Sequence, residues 1–193
     1  MADFAARVSQ GHIGRAKYIA TNEHVRSNRK EILKSVTQLN NVADAFKAAQ
    51  RLVDIATEDA KAAAEIRDEK EQDELAQAYG KGATGRGMAS GGSKALKELE
   101  KEQKTRTTRM VRDSLDAALL DIATLFRDIM MVQSGHIDAL INLEMAQEIN
   151  AIANVVPPHK TIQRLDAVMK ARKALGFNAA PLLTIEALMC ELV

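Results

Sequence analysis

The sequence predicts an all-α fold, a helical bundle that carries one long antiparallel helical hairpin. Three observations predict it. Apolar residues recur at spacings of three and four over long stretches, and nowhere in the strict alternation of a half-buried strand. Three prolines are spread over 193 residues, so helices run long. Six of the ten glycines fall between positions 80 and 92, which gathers the breaks into one place. Aromatic residues are 3% of the chain against 46% for all hydrophobic types, so the core is aliphatic and rich in Ala, Leu, Ile and Met.

Taken in order, residues 2–9 read as a short helix. Gly11 and Gly14 bracket a tight corner, and Ile13 to about Ala20 reads as a second helix. Thr21-Asn22-Glu23 offers an N-cap for a third, whose apolar stripe Val25, Ile32, Leu33 and Val36 runs to about Leu39. Asn40-Asn41 is the next break. From Val42 the positions Ala45, Phe46, Ala49, Leu52, Val53, Ala56, Ala60, Ala63 and Ile66 keep helical spacing. The sequence is then charged as far as Leu75, Ala76 and Tyr79. The glycine-rich stretch 80–92 has no apolar period and reads as the flexible tip of a hairpin. Ser93 is a cap for the second long helix, which continues through Leu96, Leu99, Met110, Leu115, Leu119, Ile122, Leu125, Phe126, Ile129 and Met130 to Gly135.

Charge supports the pairing of the two long helices. Residues 54–74 hold nine acidic and three basic side chains, and residues 94–112 hold three acidic and seven basic ones. Folding about Arg86 sets position 74 near 98, so the acidic arm lies beside the basic one and the two neutralise each other. Exposed pairs contribute only ~0.2–1 kcal/mol each, so they set register more than stability.

Beyond Gly135, residues from Glu144 to Val155 form a short helix that Pro157-Pro158 ends. Pro158 suits the first turn of the next helix, where its missing N–H costs nothing. That helix carries Ile162, Leu165, Val168, Met169 and Leu175, with Gly176 as its C′ residue. Pro181 opens the last helix, through Leu182, Leu183, Ile185, Leu188 and Met189.

Several function classes recede on these grounds. The net charge of +1 exerts no global pull on nucleic acid or anionic lipid. The single Cys190 has no partner for an internal disulfide, which points to a reducing, cytoplasmic setting and a buried structural thiol. No run approaches the roughly 18 apolar residues of a membrane span. Gly87 and Gly92 have phosphate-loop spacing, but Ser93-Lys94 stand in reversed order behind a charged helix. The histidines His12, His24, His136 and His159 are scattered, so capping or solvated roles are expected, with no metal and no cofactor. No spacing joins a nucleophile to a base.

Two separated stretches resemble a known family. The first is Ser9-Gln10-Gly11-His12-Ile13-Gly14-Arg15-Ala16, similar to the end of the lid subdomain in clamp-loader ATPases of the AAA+ class. The second is the tail: Leu125-Phe126-Arg127-Asp128-Ile129-Met130-Met131-Val132-Gln133-Ser134-Gly135, then Ala139-Leu140-Ile141-Asn142, then the helix from Ile162 to Leu175, then Asn178-Ala179-Ala180-Pro181-Leu182-Leu183-Thr184-Ile185-Glu186-Ala187-Leu188. It resembles the collar domain of bacterial DNA polymerase III clamp-loader subunits, most closely those of delta-prime type. Together the two cover roughly 85 residues near the two ends.

The resemblance implies that the chain is a C-terminal fragment in three parts: a lid remnant over 1–40, the long hairpin over 41–134 with its tip at 80–92, and C-terminal helices over 135–193 that complete a collar-type bundle. It implies assembly rather than catalysis. Collar contacts would hold a five-subunit loader together with gamma/tau-type and delta-type partners, in the bacterial cytoplasm. The sliding clamp and primed DNA would be met only through the assembled loader, and the enzyme would be the parent DNA polymerase III holoenzyme. Arg15 matches the lid arginine that approaches a nucleotide held by the AAA+ core. Phe126, Arg127, Leu165, Met169, Leu182, Ile185 and Leu188 are the candidate subunit interface. Two alternatives stand beside this reading: a gamma/tau-type collar, or a helical nucleic-acid-binding protein using the basic arm 94–112.

Overall fold

The computed structural model describes residues 1–79 and 92–193. The stretch 80–91, which holds most of the expected hairpin tip at 80–92, lies outside the described residues. Among the described residues every regular element is helical and none is a strand. The helices are α1 (Ala2–Val8), α2 (Ile13–Thr21), α3 (Glu23–Thr37), α4 (Val42–Ala78), α5 (Gly92–Gln133), α6 (Ala146–Val155), α7 (Pro158–Gly176) and α8 (Pro181–Leu192), with short 3-10 turns at Ile137–Ala139 and Leu143–Met145. No helix of the described residues is long and apolar enough to cross a membrane.

The turns follow from local chemistry. Between α1 and α2, Gln10 (φ 52°) and Gly11 (φ 86°) are successive left-handed residues. A Cβ on Gly11 would meet nothing, so backbone conformation rather than space calls for glycine there. His12 then caps α2, its Nδ1 accepting from the Arg15 N–H at 3.1 Å. Asn22 precedes α3 but turns its side chain backward, donating to the Tyr18 carbonyl at the end of α2. Asn41 caps α4 reciprocally: its Oδ1 accepts from the Asp44 N–H at 3.0 Å while its Nδ2 donates to the Asp44 carboxylate at 2.9 Å. Gly135 (φ 81°) stops α5, and the His136 N–H reaches back to the Met131 carbonyl at 2.8 Å.

One expected stop lies elsewhere. Gly176 is the last residue of α7, and the left-handed residue beyond it is Asn178 (φ 64°). The Ala179 N–H closes the turn onto the Ala174 carbonyl at 3.1 Å. Asparagine is the residue other than glycine that takes this conformation most readily, so Gly176 is not needed for the turn.

The described chain divides into two compact units. The first comprises Met1–Val53 and Leu115–Val193. Its centre is the C-terminal part of α5, where every residue from Asp121 to Phe126 is buried. Leu115, Leu119, Ile122, Leu125 and Ile129 of α5 are fully buried, as are Leu33 of α3, Ile149 of α6, Val168 of α7 and Ile185 and Met189 of α8. Each such side chain contributes roughly 1.5–3 kcal/mol relative to exposure. Near the chain start, Ala5 and Val8 of α1 and Ile19 of α2 form a smaller cluster beneath Phe4, Val25 and Ile141. Helices α7 and α8 pack on each other.

The second unit, Asp54–Ser114, buries one large aliphatic side chain, Ile55, and the small Ala56, Ala60 and Ala64, among the residues whose burial is described. It is held largely by polar contacts. Gln103, 4% exposed, donates to the Asp68 carbonyl at 3.0 Å and accepts from Gln72 at 2.8 Å. Arg106 donates to the carboxylates of Asp68 and Glu71. The neutralisation expected between acidic and basic arms is confined to that residue: among the described residues, Arg106 is the only cation of 94–112 in an ion pair. The acidic arm also pairs within itself, Arg67 with Glu71 and Lys70 with Glu74.

Candidate functional site

The larger unit contains a cluster of buried polar side chains. It begins on α3, where Arg29 interrupts the apolar stripe between Val25 and Ile32. Because it lies on that stripe it faces inward, and it is 5% exposed. Its guanidinium donates to Asp121 of α5 at 3.0 Å, to Glu144 at 2.8 Å and to the Asn142 side-chain oxygen, and lies 5.7 Å from the centre of the Phe4 ring. A planar fork with five donors is the side chain suited to three acceptors at once.

Asp121 takes a second cation, Arg15, at 2.6 Å. Two turns further along α5, Asp128 is wholly buried. It accepts from the Ile141 N–H at 3.0 Å, the Asn142 N–H at 2.7 Å, the Asn142 side-chain amide at 2.8 Å and Arg127 at 2.8 Å. Thr124, between the two aspartates, accepts from the Asn142 amide at 3.1 Å and donates to the Asp121 carbonyl at 2.7 Å. Arg7 of α1 completes the cluster, donating to the Ile141 carbonyl at 2.7 Å. The irregular segment 137–145 therefore gets from α5 the hydrogen bonds that it does not make within itself. Removing one partner of such a buried pair costs about 3–5 kcal/mol, although the whole network is no more stabilising than a well-packed apolar one.

The residues singled out from the sequence are spread through this unit. Arg15 is in the cluster, although its Nη1 is buried without a hydrogen-bond partner. Phe126, Ile185 and Leu188 are buried in the core. Arg127 is half-buried and bridges Asp128 to the Ala139 carbonyl. Leu165 and Leu182 are half-buried, and Met169 is exposed. Cys190, expected to be buried, is exposed on α8, because Leu188, Met189 and Leu192 take the inward positions. Arg29, Asp121, Asp128 and Asn142 were not singled out. The signal for Arg29 was its place in the apolar stripe. Asp121, Thr124 and Asp128 share one sector of α5 that the apolar residues around them leave open, so their spacing alone reads as a solvent-facing side.

A cleft of about 350 Å³ lies in the same unit, lined chiefly by Val36, Leu39, Phe126, Ile129, Ile152 and Val155, with Arg164 as its only charged group among the described residues. Burial pushes the Arg164 guanidinium below its ordinary pKa, and it donates to the Val193 carbonyl at 3.0 Å. In the smaller unit the guanidinium of Arg106, with that of Arg67, holds the Glu71 carboxyl down to about 2. These groups order helices, and none of them joins a nucleophile to a base.

Comparison with known proteins gives no relative: no family model, no curated protein and no solved structure matches the chain.

Proposed function

We propose that the chain is an assembly region of the clamp-loader collar class, and that the subunit it belongs to is a delta-prime of bacterial DNA polymerase III. The observation that carries this reading is the junction of the two stretches that bear the resemblance. Arg15, in the phrase Ser9 to Ala16, pairs with Asp121, seven residues ahead of Asp128 in the phrase Phe126-Arg127-Asp128. Asp128 in turn holds Ile141 and Asn142, the end of the next matching segment. In this reading 1–40 is the lid remnant, 41–134 an antiparallel hairpin and 135–193 the completion of the collar. The antiparallel sense is supported by the contacts of Asp68 with Arg106 and of Gln72 with Gln103, in which one number rises as the other falls.

The region works by contact and catalyses nothing. It sits in the cytoplasm among gamma/tau-type and delta-type subunits, and meets the sliding clamp through the assembled loader. Partner contact falls to side chains the fold leaves outward, Ile162 and Met169 of α7 and Leu183 of α8 at 47%, 47% and 67% exposure, rather than to Phe126, Ile185 and Leu188. A nucleotide-sensing role for Arg15 requires it to leave Asp121, which would keep Arg29 as its partner.

Light scattering behind a sizing column tests the reading. The chain mixed with gamma/tau-type and delta-type collar domains is expected to give a heavier stoichiometric peak, lost in the exposed-site variants Met169→Glu and Leu183→Glu. No heavier peak with all components folded, or a peak indifferent to both variants, refutes it.

A further inference from the structure

The smaller unit leaves a row of cations unused. Lys94, Lys97, Lys101 and Lys104 of α5 are all exposed, and among the described residues none of them has an ion-pair partner. Their spacing of three, four and three places them on one side of the helix, within an arc of about 80° at 100° per residue. Glu98, Glu100 and Glu102 fall outside that arc. The buried Gln103 marks the opposite side, which faces α4 through Asp68 and Gln72. The lysine row therefore points away from the acidic arm, which explains why sequence complementarity did not become neutralisation.

We infer that this row is a docking strip for the phosphate backbone of double-stranded DNA. Four ammonium groups spread over about 15 Å of helix axis face a duplex that carries one charge per ~1.7 Å. Lysine on a flexible stem suits a contact that reads charge without sequence. The alternatives fit worse. A single strand is gripped by aromatic stacking, and residues 92–114 contain no aromatic side chain. An anionic membrane wants an apolar flank beside the cations, and the strip has Glu98 on one side and Glu100 on the other. An RNA duplex is read through its 2′-hydroxyls, and Thr105 and Thr108 donate their own hydroxyls into the helix backbone. The inference does not rest on the proposed assembly role, whose test uses residues of the other unit.

The test is a titration of a fluorescent duplex of about 30 base pairs with the whole chain, from about 50 to 200 mM salt. Four phosphate contacts give a slope of log K against log salt of about −3.6, a weakening of about 150-fold across that range. The triple variant Lys97→Gln, Lys101→Gln and Lys104→Gln is expected to bring the slope to about −0.9, a weakening of only about 3.5-fold. Arginine at the same three positions is expected to restore the wild-type slope, which separates lost charge from lost fold. The variant Lys160→Gln, Lys170→Gln and Lys173→Gln on α7 is expected to leave it unchanged. No binding at the lowest salt, a slope indifferent to the strip variant, or equal affinity for single-stranded DNA, duplex RNA or phosphatidylserine vesicles overturns the inference.

Discussion

Replacing Asp128 by Asn should be among the most costly isosteric changes available in this chain. The carboxylate is wholly buried and accepts from four groups: the N–H of Ile141, the N–H and side-chain amide of Asn142, and Arg127. An amide of the same shape keeps one acceptor oxygen and turns an NH2 group toward donors. With the NH2 in place of Oδ2, the N–H and side-chain amide of Asn142 both lose their partner, at about 1–3 kcal/mol for each buried donor left unsatisfied. The sum, about 4 kcal/mol, is a large part of the ~5–15 kcal/mol that holds a typical domain folded. At about 2–4 °C per kcal/mol for a chain of this size, the expected fall in Tm is ~8–16 °C. A thermal melt by circular dichroism reads it, with the exposed Asp138→Asn as the control expected to leave Tm in place. A fall for Asp128→Asn of less than about 2 °C would show that the four bonds are not worth what buried bonds to a charged acceptor usually are.

Other expectations follow from single sites. Ile129→Ala, at a position with no exposed surface, should cost about 2–5 kcal/mol in chemical denaturation because the cavity is only partly filled by relaxation. Asn178→Ala should cost about 1 kcal/mol, since alanine pays more for the left-handed turn, while Asn178→Gly should be neutral or slightly stabilising; equal melting of the two would mean the turn stores no strain. The pKa of Glu71 is lowered from 4.5 to about 2, so its contribution is complete above pH 4.5 and is lost as pH falls toward 2. Hydrogen-exchange protection in residues 54–78, measured relative to the intrinsic rate at each pH, should therefore fall across that window, and the fall should be weaker in Glu71→Gln. Cys190 should react with a thiol reagent in the native protein without denaturant, and slow reaction would place it inside instead.

The helices were legible because most of their evidence is local. Asn41 with Asp44, Pro158 and Gly135 mark boundaries locally, and the apolar spacing from Leu115 became a buried face directly, while that from Val42 did so in part, Val42, Phe46 and Ala63 being exposed. Two local expectations failed for physical reasons. Gly176 was assigned a left-handed role because glycine usually takes it, but Asn178 satisfies the same geometry two residues later. Cys190 was placed inside on residue type, yet in α8 the inward positions go to its neighbours Leu188, Met189 and Leu192. Charge totals were a weaker guide still. Nine acids facing seven bases suggested neutralisation, but a total ignores azimuth: Arg106 points across to α4 while Lys94, Lys97, Lys101 and Lys104 point out.

The buried cluster was hidden for a different reason. Arg29, Asp121 and Asp128 are polar residues on inward faces, and a polar letter in an amphipathic helix is normally read as solvent-facing. Between Leu119 and Met131 of α5, the residues Leu120, Ile122, Ala123, Leu125, Phe126, Ile129 and Met130 leave a sector of about 140° open at 100° per residue, and Asp121, Thr124 and Asp128 fall in it. In the fold that sector is covered as well, since every residue from Asp121 to Phe126 is buried, and a buried carboxylate must find donors. The donors lie 13 and 14 residues downstream in Ile141 and Asn142, and 92 residues upstream of Asp121 in Arg29. No local pattern links such distant positions, and the sector that holds the two acids reads from the sequence as solvent-facing; once the fold covers it, the acids require cations and free backbone N–H groups from elsewhere in the chain. Arg29, standing in the one gap of an otherwise apolar stripe, is the residue that meets that requirement.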